Sequence, residues 1–414
     1  MPLQPDLKHA PWLHAPALQQ VLAVLDADGG EARVAGGAVR NGILGEPVTD
    51  IDIATTHPPE RVTELCRAAG LAVHPTGLDH GTVTVVAGEG EARHPFEVTT
   101  LRVDTETYGR RAKVAFTDDW AADAGRRDFT INAIYCDRHG VIFDPLDGLK
   151  DLKRRRVRFV GDARQRIAED FLRILRFFRF HACYGHGRPD AESLSACVAL
   201  KGGLKQLSPE RVRAELLKLL VTDGAVETVR IMQVAGLVAV LWPQPGDLAR
   251  LARMARLDGR FGLHRDPLLR LAALWLARPG DAARLFDRFR LSLDDRRRLK
   301  AMTSPSPVSP ALRERERRVL VYQTGAAAFR DAVRLCWAGG RGRHRDGDWH
   351  DLLRFADGWE VPRLPVRGED LVGRGIKPGP EVGRLLTALE DWWVANDFSP
   401  GREALLARLD ALTH

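Results

Sequence analysis

The sequence predicts a mixed α/β domain that is followed by a long, all-helical remainder. Strand-like and helix-like segments alternate up to about residue 143. After about residue 160, apolar residues recur at three- and four-residue steps, and strand signals largely stop. A serine- and proline-rich segment at 303–310 marks a boundary within the helical part.

In the first part, amphipathic spacing predicts helices, and short apolar runs bounded by turn residues predict strands. The predicted helices are Leu18–Leu25, Val39–Leu44 and Pro59–Ala69. The predicted strands are Ala32–Ala35, Asp50–Ala54, Thr82–Ala87 and Phe96–Leu101. The polar segment from Asp104 to Trp120 lacks clear periodicity, so we expect an exposed and mobile loop there.

The helical remainder begins with apolar residues on one face, at Ile167, Phe171, Ile174, Leu175 and Phe178. Ser208 is expected to cap the next helix, with Pro209 at its first position. Further amphipathic patterns predict helices over Arg230–Leu241, Leu268–Leu276 and Asp281–Phe289.

Length and composition narrow the class of protein. A chain of 414 residues with 44% hydrophobic residues predicts a soluble protein of two to four domains. Neither a membrane span of about 20 apolar residues nor a secretory leader is indicated. Five scattered cysteines fit a reducing cytoplasm and argue against zinc. The formal charge of +7 suits a polyanionic partner without identifying one.

The first chemical signal is an aspartate pair, Asp50 and Asp52, that follows a glycine turn. In a strand both carboxylates point to one face, where they repel each other unless a cation lies between them. Mg²⁺ prefers such oxygen ligands and completes its shell with substrate phosphates. The turn Gly36–Arg40 can bring backbone N–H groups and Arg40 to those phosphates. The pair predicts nucleotidyl transfer, although Asp-x-Asp also occurs in loops and at helix starts.

Other segments offer weaker signals. Glu97 could add a third carboxylate or be a solvated residue of an edge strand. The segment 125–133 could bind ribose and phosphate through arginine forks, or be a charged turn. Asp170 and Arg173 are expected to share one helix face, where a surface ion pair is the simpler interpretation. The basic run 153–158 is solvated surface or a contact for a phosphate backbone.

Taken in order, these segments resemble the class II tRNA nucleotidyltransferase and poly(A) polymerase family of the polymerase-β superfamily. The resemblance covers about residues 33 to 220, and its specificity comes from several modest motifs in the correct order. The matching segments are 36–40, 50–52, 96–102, 126–133, 144–148, 169–173 and 208–211.

The resemblance implies a seahorse-like chain with a polymerase-β-like α/β nucleotidyltransferase head and an all-α neck, body and tail. The implied ranges are 1–143 for the head, 144–220 for the neck, 221–303 for the body and 304–414 for the tail. It implies a cytoplasmic enzyme that uses two Mg²⁺ ions to transfer nucleotides from CTP and ATP to tRNA.

The resemblance also implies roles for individual residues. Asp50 and Asp52 would hold the metals, with Glu97 as a third catalytic acid. The implied nucleotide-binding residues are Gly36, Gly37, Arg40, Arg127, Asp128, Asn132, Asp170, Arg173 and Arg176. The expected RNA-binding residues are Arg110, Arg111, Lys153, Arg154 and Arg155.

The resemblance makes Asp170 and Arg173 the readers of the incoming base. Cytosine and adenine each present an amino donor beside a ring-nitrogen acceptor, which a carboxylate and a guanidinium complement. Uracil and guanine would leave polar partners unpaired, which a polar site rejects strongly. One departure stands out, because the family usually has aspartate at the position of Asn41.

Within the family, the segment Pro75–Thr82 resembles tRNA enzymes more than poly(A) polymerases. The segment Asp104–Trp120, with Arg110 and Arg111, resembles the loop that permits the change from C to A. We therefore expect full CCA addition. The alternatives are poly(A) synthesis, CC-only or A-only addition, and a helical RNA-binding protein without catalysis.

Overall fold

The structure, a computed structural model, describes residues 6–90, 93–108, 111–278, 280–303, 308–340 and 344–413. The chain forms two compact units, residues 1–245 and 246–414. The first unit is mixed α/β and the second is helical, as expected for this fold class. The four-part division at 143, 220 and 303 stays a prediction. Among the described helices, none has the length and apolar character that a membrane crossing requires.

The first unit contains a mixed β-sheet of seven strands. They are β1 Ala32–Ala35, β2 Asp52–Thr55, β3 Ala72–Gly77, β4 Thr82–Ala87, β5 His94–Thr100, β8 Tyr135–Cys136 and β9 Ile142–Phe143. Their order in the sheet is β3-β4-β5-β2-β1-β8-β9, in which β2 and β5 are parallel neighbours and the other pairs are antiparallel. A separate hairpin consists of β6 Arg102–Tyr108 and β7 Arg111–Phe116.

The helices of the first unit pack around this sheet and extend beyond it. They are α1 Pro16–Leu25, α2 Gly37–Leu44, α3 Pro59–Ala68, α4 Trp120–Gly125, α5 Gly148–Lys153, α6 Ala163–Glu169, α7 Leu172–Tyr184, α8 Ala191–Leu200, α9 Pro209–Leu220, α10 Ala225–Val234 and α11 Val238–Leu241. Short 3₁₀ turns occur at Leu78–His80, Thr130–Asn132 and Lys201–Gln206.

The prediction of a loop over Asp104–Trp120 is wrong, because β6 and β7 pair there as an antiparallel hairpin and α4 begins at Trp120. Valine, threonine and tyrosine favour extended backbone in this segment. The sequence has no alternating apolar face there, so the strand signal is absent although ladder hydrogen bonds form. Arg110 lies outside the described residues.

Three local predictions also need correction. Strand β2 begins at Asp52, so Asp50 lies in the segment before the strand. The helix expected over Arg230–Leu241 is interrupted after Val234, where Gly236 has φ +74°. Ser208 stands at the N-cap of α9, but its side chain makes no capping hydrogen bond.

A cluster of phenylalanines joins helix α7 to the segment after α4. Phe129 lies 5.0 Å from both Phe159 and Phe180, measured between ring centroids. Phe177 stacks on Phe159 at 5.6 Å. Tilted aromatic contacts of this kind stabilise a core beyond the area that they bury. The cluster therefore fixes the polar residues beside Phe129 relative to α7.

The second unit consists of helices α12 Leu248–Phe261, α13 Pro267–Trp275, α14 Asp281–Phe289, α15 Leu293–Thr303, α16 Glu314–Thr324, α17 Ala326–Ala338, α18 Asp346–Gly358, α19 Gly368–Val372, α20 Pro380–Ala395 and α21 Arg402–Thr413. One core cluster forms around Val333, Trp337 and Leu352, and another around Leu371, Leu389 and Trp393. The predicted helix Asp281–Phe289 has the same bounds in the structure.

A buried carboxylate links three helices of the second unit. Asp258 on α12 pairs with Arg270 on α13 at 3.0 Å and with Arg334 on α17 at 2.6 Å. Asp258 and Arg270 are each only 2% exposed. Loss of one partner leaves uncompensated charge in a site without water.

We expect Asp258→Asn to lower the free energy of unfolding by about 3–5 kcal/mol, because two guanidinium groups lose their shared anion. Urea denaturation followed by circular dichroism measures the change. Asp294→Asn is the matched control, since its pair with Arg297 is exposed, and it should change stability by less than about 0.5 kcal/mol. Equal effects of the two substitutions would contradict the structural role of Asp258.

Candidate active site

Two acidic residues meet on neighbouring parallel strands at the centre of the sheet. Asp52 opens β2 and is the register partner of Glu97 on β5. Paired residues of adjacent strands share a face, so both carboxylates point to the same side. Asp50 precedes the strand by two residues and accepts a hydrogen bond from Thr49 Oγ1 at 3.3 Å. All three acids are solvent-exposed, which leaves their oxygens available to a ligand.

A glycine turn connects β1 to α2 beside these acids. Ala35 on β1 is the register partner of Asp52, and Gly36 follows at once with φ +67° and ψ −110°. A Cβ at Gly36 would lie 3.0 Å from Nη1 of Arg127. Glycine is therefore required by both conformation and space. The turn brings the N-terminal N–H groups of α2 to the edge of the sheet that carries the acids, where anions are favoured.

The electrostatics of Asp52 reflect its neighbours. Although Asp52 is exposed, the protein atoms around its carboxylate partly desolvate it and raise its pKa, and the negative charges of Glu97 and Asp50 raise it further. Arg127 acts in the opposite direction and lowers that pKa. The acids thus form a site of concentrated negative charge that a cation would stabilise.

Arg127 is held in place by a buried acid. Its Nη2 lies 3.3 Å from Asp123 Oδ2, and its Nε donates to the Tyr135 hydroxyl at 3.1 Å. The Tyr135 hydroxyl in turn donates to Asp123 Oδ2 at 2.7 Å. Burial alone would raise the pKa of Asp123, but Arg126 and Arg127 outweigh it and lower the pKa. Asp123 therefore stays charged and fixes Arg127 beside Gly36.

A second network runs from Asp128 to Arg40. Asn132 Nδ2 donates to Asp128 Oδ1 at 2.9 Å, and Arg176 Nε donates to Asp128 Oδ2 at 2.7 Å. The other end of the Asn132 amide accepts a hydrogen bond from Arg40. Burial opposes ionisation of Asp128, but Arg176 and Asn132 keep its pKa below the usual value. The three predicted residues Asp128, Asn132 and Arg176 are thus brought together.

Arg40 is enclosed rather than open to solvent. Its side chain is 6% exposed, its Nη2 donates to the Tyr184 hydroxyl at 2.8 Å, and its guanidinium lies 4.1 Å from the centroid of that ring. Burial lowers the pKa of Arg40. The guanidinium therefore holds other site residues in position, and direct contact with a triphosphate stays a prediction.

Asn41 occupies the position where the family usually has aspartate, and both ends of its amide are used. Its Oδ1 accepts from Arg40 Nη2 at 3.1 Å, and its Nδ2 donates to the Pro47 carbonyl at 3.0 Å. A carboxylate could not donate the second hydrogen bond. The amide therefore ties the segment before Asp50 to helix α2.

The expected pairing of Asp170 and Arg173 on one helix face is wrong. Asp170 ends α6 in an extended conformation, and Arg173 belongs to the next helix, α7. Both oxygens of Asp170 accept from Arg211 on α9, at 3.1 and 2.6 Å. Arg173 instead donates to Glu169 and, at 2.8 Å, to the carbonyl of Arg166. The chain bends at Asp170, so the three-residue spacing does not produce a helical pair.

Comparison with known proteins identifies the family of this site. Residues 32–158 match the model of the "Poly A polymerase head domain", and residues 188–247 match a "Probable RNA and SrmB- binding site of polymerase A". The mitochondrial CCA tRNA nucleotidyltransferase 1 of Mus musculus is 33% identical over 95% of this chain and 90% of its own length. The CCA-adding enzyme of Lactococcus lactis subsp. cremoris is 31% identical over 94% of this chain and 95% of its own length.

The chain belongs to the CCA-adding enzyme family. It is a class II nucleotidyltransferase. The CCA-adding enzyme of Bacillus stearothermophilus, solved in complex with CTP, superposes with a TM-score of 0.75 at 27% identity and covers 95% of this chain and 96% of its own. A Thermotoga maritima CCA-adding enzyme, at 19% identity and a TM-score of 0.64, shares the fold over 96% of this chain and 94% of its own.

Three residues that contact predicted site residues received no site role from the sequence. They are Tyr184, Glu215 and Arg211, although Arg211 belongs to the segment 208–211 of the family resemblance. Glu215 is buried and accepts from Arg179 Nε at 2.6 Å, with Arg176 at 3.8 Å. Arg211 and Glu215 are four residues apart on α9, which places them on one face. The four-residue spacing of Arg211 and Glu215 is the sequence signal that could have predicted their common position on α9.

The predicted RNA-binding residues that the structure describes lie on other segments than the acids Asp50, Asp52 and Glu97. Lys153 ends α5, and the exposed residues Arg154 and Arg155 follow it in a turn. The backbone of Arg111 begins β7, where it pairs with Tyr108. Their contact with RNA stays a prediction.

We expect Arg127→Gln to move the acid limb of the pH–activity profile to higher pH. The substitution removes the positive charge that lowers the pKa of Asp52, so Asp52 would keep its proton to a higher pH and lose metal binding there. Initial rates of nucleotide addition between pH 5 and 9, at saturating substrates, measure the shift. Arg67→Gln removes an exposed arginine from α3 and should leave the limb in place. An unchanged limb for Arg127→Gln would contradict the electrostatic coupling.

Proposed function

We propose that this protein adds the sequence CCA to the 3′ end of tRNA, using CTP and ATP and no nucleic-acid template. The observation that carries the proposal is the register pairing of Asp52 with Glu97 beside the glycine turn at Gly36. This arrangement places carboxylates that attract a cation beside backbone N–H groups that can bind a triphosphate. Relatives named for CCA addition, which match almost the whole chain, support the choice of reaction.

The acids fit a hard divalent cation. They provide exposed carboxylate oxygens, and partial desolvation together with their mutual repulsion raises the pKa of Asp52. No group of three or more metal-binding side chains forms among the described residues, so waters and substrate phosphates would complete the shell of the ion, as Mg²⁺ accepts. We propose that Asp50 and Asp52 hold two Mg²⁺ ions, with Glu97 as a third acid. When bound, the ions would activate the attacking hydroxyl and stabilise the leaving pyrophosphate.

The transfer is a displacement at the α-phosphorus of the nucleoside triphosphate. The 3′-oxygen of the tRNA forms a bond to this phosphorus, the bond to the β-phosphate oxygen breaks, and pyrophosphate leaves. Gly36 and Gly37 would bind the triphosphate through backbone N–H groups. Arg127, fixed by Asp123, would add a guanidinium to that contact. Asp128 and Asn132, held by Arg176 and Arg40, would orient the ribose.

Base selection would depend on Asp170 and Arg173, each held by its own partner. Arg211 binds both oxygens of Asp170, and Glu169 binds Arg173. These partners restrict the rotamers of the two readers, so a mismatched base cannot be accommodated by simple rotation. Asp170 would accept from the amino group of cytosine or adenine while Arg173 donates to the neighbouring ring nitrogen. The same pair would reject uracil and guanine.

Three alternatives differ from CCA addition in the products that they would give. A poly(A) polymerase would extend RNA with a long run of A, and a CC-only or A-only enzyme would stop early. A non-catalytic RNA-binding protein would add nothing. The retained acids Asp50, Asp52 and Glu97 favour catalysis. We also propose a cytoplasmic location, which the five scattered cysteines without close pairs support.

Incubation with Mg²⁺, CTP, ATP and a tRNA that ends at the discriminator base should extend the tRNA by three nucleotides. Asp50→Ala should abolish this addition with the fold intact, because a metal ligand is lost. Denaturing electrophoresis and sequencing of the product measure both outcomes. Glu46→Ala, a change of an exposed acid in the same segment, is the control and should add CCA normally. A long homopolymer, or no extension by the parent protein, would refute the proposal.

Arg173→Ala should raise UTP incorporation relative to CTP by about 10- to 100-fold, since a good bidentate contact gives about 1–3 kcal/mol of discrimination. The ratio of kcat/KM values for the two nucleotides measures this. Arg164→Ala, which removes an exposed arginine from α6, should keep the parent ratio. If selectivity were unchanged in Arg173→Ala, base reading by Arg173 would be wrong.

A further inference from the structure

A basic pocket lies where two turns of the first unit meet, and it shares no residue with the acids or the base readers. One turn follows α5 and the other, 185–190, follows α7. His186 N donates to the Arg155 carbonyl at 3.0 Å, and Arg156 Nε donates to Asp190 at 2.8 Å. The turns enclose a cavity of about 240 Å³, lined among others by Arg154, Arg155, His181, His186, Arg188 and Asp190.

The positive charge of this basic pocket is not neutralised by its own acid. Asp190 pairs with Arg156 and also accepts from Ser193 N at 3.0 Å and Ser193 Oγ at 2.7 Å, as the N-cap of α8. These contacts outweigh burial and lower the pKa of Asp190. Within the described part of the chain, Arg154, Arg155 and Arg188 make no ion pair with a carboxylate. Three guanidinium groups are therefore available to an anion.

The floor of the basic pocket is polar and closely packed. His181 is buried, and burial lowers the pKa of its ring. A Cβ at Gly185 would lie 2.3 Å from His181 Nδ1, so only glycine permits this approach. Arg155 adopts φ +52°, a conformation unusual for a long side chain. The guanidinium groups around the rim suit an oxyanion such as a phosphate group, which arginine binds through paired, charge-assisted hydrogen bonds.

A larger cleft continues from the basic pocket. It has a volume of about 770 Å³ and shares His181, His186 and Arg188 with the basic pocket. Its remaining lining is mainly apolar, with Pro189, Leu194 and Ile231, and it also includes Glu227 and Thr228. A site with arginines at one end and a mainly apolar cleft at the other fits a phosphate group attached to an organic group with a flat face. A nucleotide meets this description, because its base has such a face and its sugar hydroxyls can bond to the polar side chains of the cleft.

We propose that the basic pocket and its cleft form a second, non-catalytic site that binds the phosphate of a nucleotide, with the base and sugar in the cleft. The nucleotide is either free in solution or part of a bound RNA chain. Binding of a nucleotide within an RNA chain rests on the proposed function, whereas binding of a free nucleotide does not. Arg155 and Arg188, on opposite turns, are the central contacts for the phosphate.

The test compares three proteins: the parent, Arg155→Gln/Arg188→Gln, and the charge-matched control Arg67→Gln/Arg93→Gln, which removes exposed arginines elsewhere. Isothermal titration measures uridine 5′-monophosphate binding without RNA, CTP or Mg²⁺, because CTP would compete for the proposed site as well as fill the catalytic site. Filter binding measures tRNA affinity over a range of salt concentrations. Arg188→Gln alone is included in case the double variant fails to fold, as judged by circular dichroism.

Tenfold weaker binding of uridine 5′-monophosphate by the Arg188 variants than by the control supports the site with a free nucleotide as its ligand. Absence of that binding in all proteins, with tRNA affinity at least fivefold lower in the Arg188 variants and a shallower salt dependence, supports an RNA phosphate. Equal affinities of all proteins for both probes would overturn the proposal. Failure of CCA addition by the parent would refute the proposed function without altering these binding results.

Discussion

The buried carboxylate of Asp128 is the constraint on which the site depends. It lies between the sheet and helix α7, where Arg176 bonds to one oxygen and Asn132 to the other. A buried charge is tolerated only when its partners are precisely placed. Arg40 extends the chain of contacts through Asn132 and Tyr184. The glycine turn and helix α7, which carries Arg173, are thereby fixed relative to each other.

The aromatic cluster makes that polar network possible. Phe129 follows Asp128 directly and packs against Phe159 and Phe180. These rings exclude water from the surroundings of Asp128, which strengthens its hydrogen bonds and makes an unpaired partner costly. Apolar packing and buried charge are therefore parts of one structural unit, because neither would hold the site without the other.

The acids on the central strands β2 and β5 are stabilised in a different way from Asp128. Asp52 and Glu97 are exposed and repel each other, so their stabilisation is left to a ligand rather than to the protein. Arg127 moderates the repulsion without forming an ion pair that would neutralise Asp52. Asp170 and Arg173, the proposed base readers, differ in that each has a charged partner that fixes its position. In the proposed function, the site would thus combine an open cation centre with a preorganised base pocket.

The sequence by itself determined the order of the motifs, the fold class and most strands near the acids, because these depend on local periodicity and turn chemistry. Strands Ala32–Ala35 and Thr82–Ala87 have the predicted bounds. Partners distant in sequence were decided only by the tertiary structure: Arg211 for Asp170 and Tyr184 for Arg40. Only the tertiary structure revealed the hairpin of β6 and β7, because backbone pairing forms it without an alternating apolar pattern in the sequence. Local spacing specifies which groups a chain offers, whereas packing in three dimensions decides which of them meet.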